Sequence, residues 1–268
     1  MNLPGQHFLR NLVAQRTLLY QMVRRDFESR FIGSVAGWVW GLIHPLVLLA
    51  SWTFVFQYCL RVPLPQHAVT QNYTMFLFCG YLPWMLFQET LSRSSTCLLE
   101  HRNLITKTVF PSEVIPISVF LSALVSHLMA LTMLVVASVL WFGYVSGMIA
   151  FLPIYMLLTG LLGVGLGWII SSLQVYLRDT AQVVSVVLTL WFWTTPIFIA
   201  VEDVPQNLRF IVNYNPMSYL VRAYRDRLLS YTAPDLSELA MLTAYALSAF
   251  FIGGLFFRHL KRGFADVL

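Results

Sequence analysis

Three ionisable side chains stand inside the long apolar runs of this sequence, His44, Glu89 and His127, one to a run. A proton- or sodium-coupled carrier builds its site from clustered carboxylates or broken helices near the bilayer midplane. Neither pattern occurs here. Nucleotide chemistry is missing too: there is no GxxxxGKS or GxxxxGKT phosphate loop, and the two lysines are Lys107 and Lys261. GxSxG, HExxH and CxxC are absent. Cys59, Cys79 and Cys97 lack metal-ligand spacing, so they read as free packing thiols and no metal site is expected. Such a chain performs no bond chemistry, and if it moves something uphill the energy must come from another chain.

Recognition remains. At 100° per residue, Trp40, His44, Ser51 and Tyr58 fall within about 40° of one another on one apolar run. Gln182, Ser185, Thr189 and Trp193 make a second narrow stripe. Polar side chains on a spanning helix face a protein interior or a water-filled cavity. Aromatic rings between hydroxyls suit a sugar chain, whose rings offer apolar CH faces as well as OH groups. Plain hydrogen bonding between helices is the alternative for each stripe.

These stripes need elements to carry them. The chain is 58% hydrophobic and 11% charged, against about 25% charged in a soluble domain. It is therefore read as an all-α integral membrane protein. Six runs are long enough to cross about 30 Å of hydrocarbon: roughly 35–58, 73–91, 115–142, 149–173, 182–201 and 238–257. An even count puts both termini on one side. Twelve of the seventeen Lys and Arg lie in the N-terminus, the 92–114 loop, the 174–181 turn and the tail. The positive-inside rule makes that side cytoplasmic.

Residues 1–31 read as an amphipathic interface helix and 32–268 as the six-helix unit. In the former, Leu9, Leu12, Val13, Leu19, Tyr20, Val23 and Phe27 share a face opposite Arg10, Gln21, Arg24, Arg25 and Glu28. Such a helix lies along the membrane surface, with Arg24 and Arg25 placed for anionic lipid headgroups. The first thirty residues are polar and basic, so no cleavable signal is expected. Trp38, Trp84, Trp141 and Trp191 suit interfacial belts. Gly163 and Gly167, at GxxxG spacing, suit close helix packing.

The outer loop before the last run holds "NYNPMSYLVRAYRDRLL". Asn215 is a good helix N-cap and Pro216 a good first residue. Met217, Leu220, Val221, Tyr224 and Leu228 then form an apolar face, with Ser218, Arg222, Arg225 and Asp226 opposite. "VPQNLRFIVNY" before it reads as a second short helix.

Four stretches taken in order resemble a known family: "RRDFESRFIGSVAGWVWGLIHPL", "NLITKTVFPSEVIPI", "VYLRDTAQ" with "LWFWTTPIF", and "YNPMSYLVRAYRD". Together with the tail "KRGFADVL", they resemble the membrane subunits of ABC polysaccharide exporters, the Wzm/TagG-like permeases that move O-antigen or teichoic-acid chains. The resemblance covers nearly the whole chain. It implies a homodimer in the bacterial inner membrane above two copies of a separate nucleotide-binding subunit. That subunit would use ATP and Mg; this chain would need no cofactor and no nucleic-acid partner. It further implies a coupling helix at about 97–108, with Glu100, His101, Arg102, Asn103 and Lys107, that docks on the ATPase. Arg178 and Asp179 match the family's Arg-Asp pair at the turn before span five. The helices at about 204–230 would be re-entrant exit gates, with Asn215, Pro216, Met217, Leu220 and Tyr224 at the gate. The implied cargo is a glycan on an undecaprenyl-type lipid, threading between two copies. His44 departs from the bulky apolar or aromatic residue that relatives carry before this proline. A permease for a small molecule or drug, or an ion-coupled carrier, is the competing expectation.

Overall fold

The computed structural model describes residues 15–30, 37–62, 64, 70, 72–107, 110–144, 146–199, 201–230 and 232–267. All regular structure among them is helical. In chain order the α-helices are α1 (Arg16–Ser29), α2 (Trp40–Thr53), α3 (Tyr73–Ser94), α4 (Cys97–Glu100), α5 (Arg102–Lys107), α6 (Val114–Phe142), α7 (Leu152–Tyr176), α8 (Thr180–Thr194), α9 (Arg209–Asn213), α10 (Pro216–Leu229), α11 (Leu236–Leu260) and α12 (Phe264–Val267). A π-helical turn, Phe54–Cys59, prolongs α2.

Four of these helical stretches are long and apolar enough to cross a membrane: Trp40–Cys59, Val114–Trp141, Gly147–Tyr176 and Leu236–Gly263. They coincide with the first, third, fourth and sixth predicted runs. The second run forms α3, whose 22 residues reach about 33 Å at 1.5 Å each. The N-terminal part of the amphipathic segment, with Leu9, Arg10, Leu12 and Val13, lies outside the described residues. So do the first residues of the first run.

The hub is α3. Asn72 caps its start by accepting the Met75 N–H at 3.2 Å. From there α3 packs against α2, α6, α7, α8 and α10, so most of its length is buried, including Leu77, Leu82, Trp84, Leu86 and Phe87. Trp84 is therefore a core residue, contrary to the interfacial belt expected for it. Its Nε1 donates to Gln88 Oε1 at 2.6 Å.

The fifth run is interrupted sooner than its hydropathy indicates. α8 holds 15 residues, about 22 Å, and the chain then bends through 195–199. Pro196 is the cause: it lacks an N–H and disfavours helical backbone at the residue before it. Thr195 is accordingly extended, at φ −90° and ψ 133°.

Glycines set the closest approaches. A Cβ on Gly163 would meet Thr90, and one on Gly167 would meet Ser94, so the expected GxxxG pair seats α7 on α3. Gly165, between them, faces the other way. There α7 crosses α11 backbone to backbone, and a Cβ on Gly253 would sit 2.0 Å from the Gly165 carbonyl oxygen. Small residues permit this approach where no aqueous hydrophobic force joins the helices. The tail folds back beneath: Lys261 pairs with Glu113, Tyr176 OH donates to the Leu260 carbonyl at 3.0 Å, and Phe264 is buried.

Replacing Gly253 with Leu should force α7 and α11 apart and cost about 3 kcal/mol. Denaturation of the purified protein in micelles measures it. Gly147→Leu, where an added Cβ meets nothing within 4 Å, should be nearly silent.

Candidate functional site

The stretch expected to form the gate departs most from the sequence reading. Asn215 does cap α10, accepting the Met217 N–H at 2.9 Å, and Pro216 follows as its first residue. The same carboxamide accepts Trp191 Nε1 at 2.8 Å and donates to Thr195 Oγ1 at 3.0 Å. One residue thus joins the start of α10 to the end of α8. The expected short helix ahead of it is present as α9, preceded by a 3-10 turn at Gln206–Leu208.

The division of α10 into apolar and polar faces does not hold. Met217, Leu220 and Tyr224 are buried as expected, but Ser218 and Arg225 are buried too, at 0% and 8% exposure, and so is Arg227 at 2%. A helix buried on nearly every side must bring partners for its charges. Arg225 Nε donates to the Phe76 carbonyl at 3.3 Å, Nη1 to that of Pro196 at 2.9 Å, and Nη2 to that of Ile197 at 2.5 Å. Its guanidinium lies 3.6 Å from the centre of the Phe76 ring, a cation–π contact. Gly80 makes room: a Cβ there would stand 2.8 Å from Nη2. Arg227 donates to the Thr232 carbonyl at 2.9 Å and to Tyr155 OH at 3.4 Å. Tyr224 OH meets buried His127 Nε2 at 3.0 Å. Arg222 stays at the rim, paired with Glu238 at 3.1 Å. α10 is pinned to α3, α6, α7 and the Pro196 bend. Sequence spacing alone could not find Arg225, because its partners are backbone carbonyls on distant segments.

The two stripes reach the surface of this chain. Trp40, His44, Ser51 and Tyr58 are exposed on α2 and its π turn, and Gln182, Ser185, Thr189 and Trp193 on α8. Ser51 and Thr189 also bond back to their own helices, at Val47 and Ser185. Aromatic contacts bring the two helices together: Trp52 lies 5.5 Å from Phe192 and 5.3 Å from Phe198, and Phe56 stacks on Phe198 at 4.5 Å. Trp193 stacks on Phe198 at 5.4 Å. Much of α8 is exposed and apolar as well, at Val183, Val186, Val187 and Leu190.

At the opposite end, the expected coupling helix is two short helices, α4 and α5, meeting at His101. Cys97 and Leu98 are buried and anchor α4, while Glu100, Arg102, Asn103 and Lys107 are exposed. His101 is half-buried, its Nδ1 2.8 Å from the Cys97 carbonyl. Arg178 and Asp179 are both exposed. A side chain not singled out in the sequence holds that turn: buried Gln174 donates to the Arg178 carbonyl at 2.9 Å and accepts the Ala181 N–H at 2.7 Å.

Arg24 and Arg25 are exposed on α1, and α1 packs on α6. Arg30 pairs with Glu89 and donates to Ser122 and Ser126 at 2.8 and 3.0 Å, while Arg93 pairs with Asp26. Burial pushes the Asp26 carboxyl up, but the Arg93 and Ser122 hydrogen bonds and the charges of Arg93 and Arg30 outweigh it. The carboxyl ends below its ordinary range.

Comparison with known proteins matches residues 17–229 to the ABC-2 type transporter family. An O-antigen export system permease protein RfbA of Myxococcus xanthus is 25% identical over 260 residues, 96% of this chain and 98% of the relative. One from Klebsiella pneumoniae is 28% identical over 257 residues, 94% of this chain and 95% of the relative. The capsule polysaccharide export inner-membrane protein CtrC of Neisseria meningitidis is 23% identical over 226 residues, 81% of each chain.

Two outcomes test this geometry. Arg225→Leu should cost about 3 kcal/mol in denaturant unfolding, because it strips charge-assisted bonds from buried carbonyls. Phe76→Leu, which keeps those bonds, should cost about 1 kcal/mol. With a folded pKa below the unfolded one, Asp26 stabilises fully above about pH 4 and loses that contribution as pH falls through the folded value. Proteolysis at Arg24 and Arg25 should accelerate only below that point, and Asp26→Asn should abolish the dependence.

Proposed function

This chain belongs to the ABC-2 type transporter family, and on that premise we propose that it is the membrane subunit of an ATP-driven exporter carrying a lipid-linked polysaccharide across the bacterial inner membrane. One observation carries the reading: relatives named for O-antigen export align along almost their entire length and almost the whole of this chain. A capsule polysaccharide exporter aligns over most of it.

The proposed mechanism assigns ATP and Mg to two copies of a separate nucleotide-binding subunit. The exposed charged edge at Glu100, Arg102, Asn103 and Lys107, with His101, meets that subunit. A mixed-charge rim suits docking on a partner that moves. Buried Cys97 and Leu98 carry its displacement into α6 and α7, against which α4 packs. Arg178 and Asp179, at the neighbouring turn, follow the same displacement.

Two copies of the chain face one another across α2 and α8. The outward positions of Trp40, His44, Ser51, Tyr58, Gln182, Ser185, Thr189 and Trp193 support a wet corridor lined by rings and hydroxyls. Sugar rings pass along it while the undecaprenyl-type lipid stays beside the bilayer. In this arrangement α3 and α8 complete six spans, both termini are cytoplasmic, and α9 and α10 form the re-entrant exit gate. Asn215, Pro216, Met217, Leu220 and Tyr224 form the inner layer of that gate. This subunit does no bond chemistry; it shapes and opens the path.

Deleting the gene should abolish surface glycan in its host. Intact glycan with new drug sensitivity would instead favour a small-molecule permease. In a Cys59→Ser background, Ser51→Cys and Thr189→Cys should react with water-borne maleimide when the ATPase subunit is present. Labelling only from the lipid phase would remove both residues from the path.

A further inference from the structure

Beyond the end of α1 and between α2 and α3, a cleft of about 410 Å3 is lined by residues that include Arg30, Trp40, His44, Tyr81, Gln88 and Glu89, with Arg93 and Ser126. That volume lies in the range of small-molecule sites, about 300–1,000 Å3. The Trp40 ring is 54% exposed. Gln88 is exposed, and its Oε1 is engaged by Trp84 Nε1 at 2.6 Å. That bond fixes the carboxamide and leaves its NH2 able to donate.

Charge decides what class of ligand fits. Arg30 pairs with Glu89 and Asp26, and Arg93 with Asp26 and, at 3.9 Å, Glu89. Two guanidinium groups are balanced by two carboxylates, so a phosphate would have to displace an acid from each. A neutral polyhydroxyl ring fits without displacing anything. Its CH face matches the indole of Trp40, and its hydroxyls find a donor in the free NH2 of exposed Gln88. Glu89 supplies an acceptor, completing the mix of apolar wall and few polar groups that small-molecule sites use.

We infer that this cleft is a binding subsite for a single sugar ring of the cargo, close to its lipid end. The inference rests on the polysaccharide-export reading. Two placements join the cleft to it. Trp40 and His44 belong both to the cleft and to the α2 stripe, so the subsite opens onto the proposed path. Leu46, exposed on α2 just beyond it and off the stripe, offers an apolar flank for the lipid chain. A ring held at Trp40 positions the glycan at the start of the stripe before any movement of the ATPase subunit.

The test uses the chain assembled with its ATPase subunit in lipid nanodiscs and a photoreactive decyl β-D-glucopyranoside. Photoreactive decanol and decyl phosphate are the comparison probes. The glucoside should label the 84–93 segment saturably, and labelling should fall about tenfold in Trp40→Leu and in Gln88→Leu, the loss of one good contact. Trp40→Phe should retain most of it, which separates ring stacking from loss of fold. Equal labelling by decanol, preference for decyl phosphate, or unchanged labelling in both variants would each overturn the inference. Failure here with surface glycan still lost on gene deletion sinks the subsite alone. Glycan that survives the deletion sinks the export reading itself.

Discussion

A guanidinium shut inside a membrane protein must be surrounded by acceptors, because an unpartnered buried charge costs several kcal/mol. Arg225 imposes that condition on the surroundings of α10. Its three carbonyl partners come from α3 and from the bend after α8. The bend exists because Pro196 stops the helix, and the stop exposes the Pro196 and Ile197 carbonyls that the arginine needs. Phe76 and the bare backbone at Gly80 supply the remaining wall. α10, the central helix α3 and the end of α8 are thereby one mechanical unit. The Asn215 carboxamide, shared between Trp191, Thr195 and the start of α10, strengthens the same joint.

A joint of this kind has a functional consequence. Movement of α8 relative to α3 cannot leave α10 behind without stripping several hydrogen bonds from buried groups. In the proposed mechanism, a displacement delivered at α4 passes into α6 and α7, packed helices that have little freedom to absorb it. α2 and α8 are a contrast. They leave large apolar and aromatic side chains uncovered, among them Tyr58, Leu190 and Trp193.

The amino-acid pattern made the helices legible because hydropathy over twenty residues reports directly on burial in lipid. It also located the Asn215 cap, the short helix before it and the Gly163–Gly167 contact, since each depends on neighbours within a few positions. It failed where partners are far apart. Arg225 and Ser218 sit on the polar face of a helical projection, yet α10 is enclosed by four other helices and a bend, so the projection says nothing about their surroundings. A tryptophan such as Trp84 favours interfacial depth, whereas its neighbours on α3 place it in the core. Nothing local marks Gln174; its role rests on bonds from both ends of its amide to the backbone. The cleft beside Trp40 was half visible: the stripe gave Trp40 and His44, but Arg30, Gln88 and Glu89 come from other helices.

The central claim is that this chain conducts a lipid-linked glycan and is driven by a nucleotide-hydrolysing partner. Reconstitution into sealed vesicles tests it most directly, with the lipid-linked glycan placed on one face and its arrival at the other read by a lectin or glycosidase that cannot cross. The account predicts transfer only when both this chain and the ATPase subunit are present and ATP is supplied. Transfer by this chain alone under an ion gradient, or none with both proteins and ATP present, would contradict it.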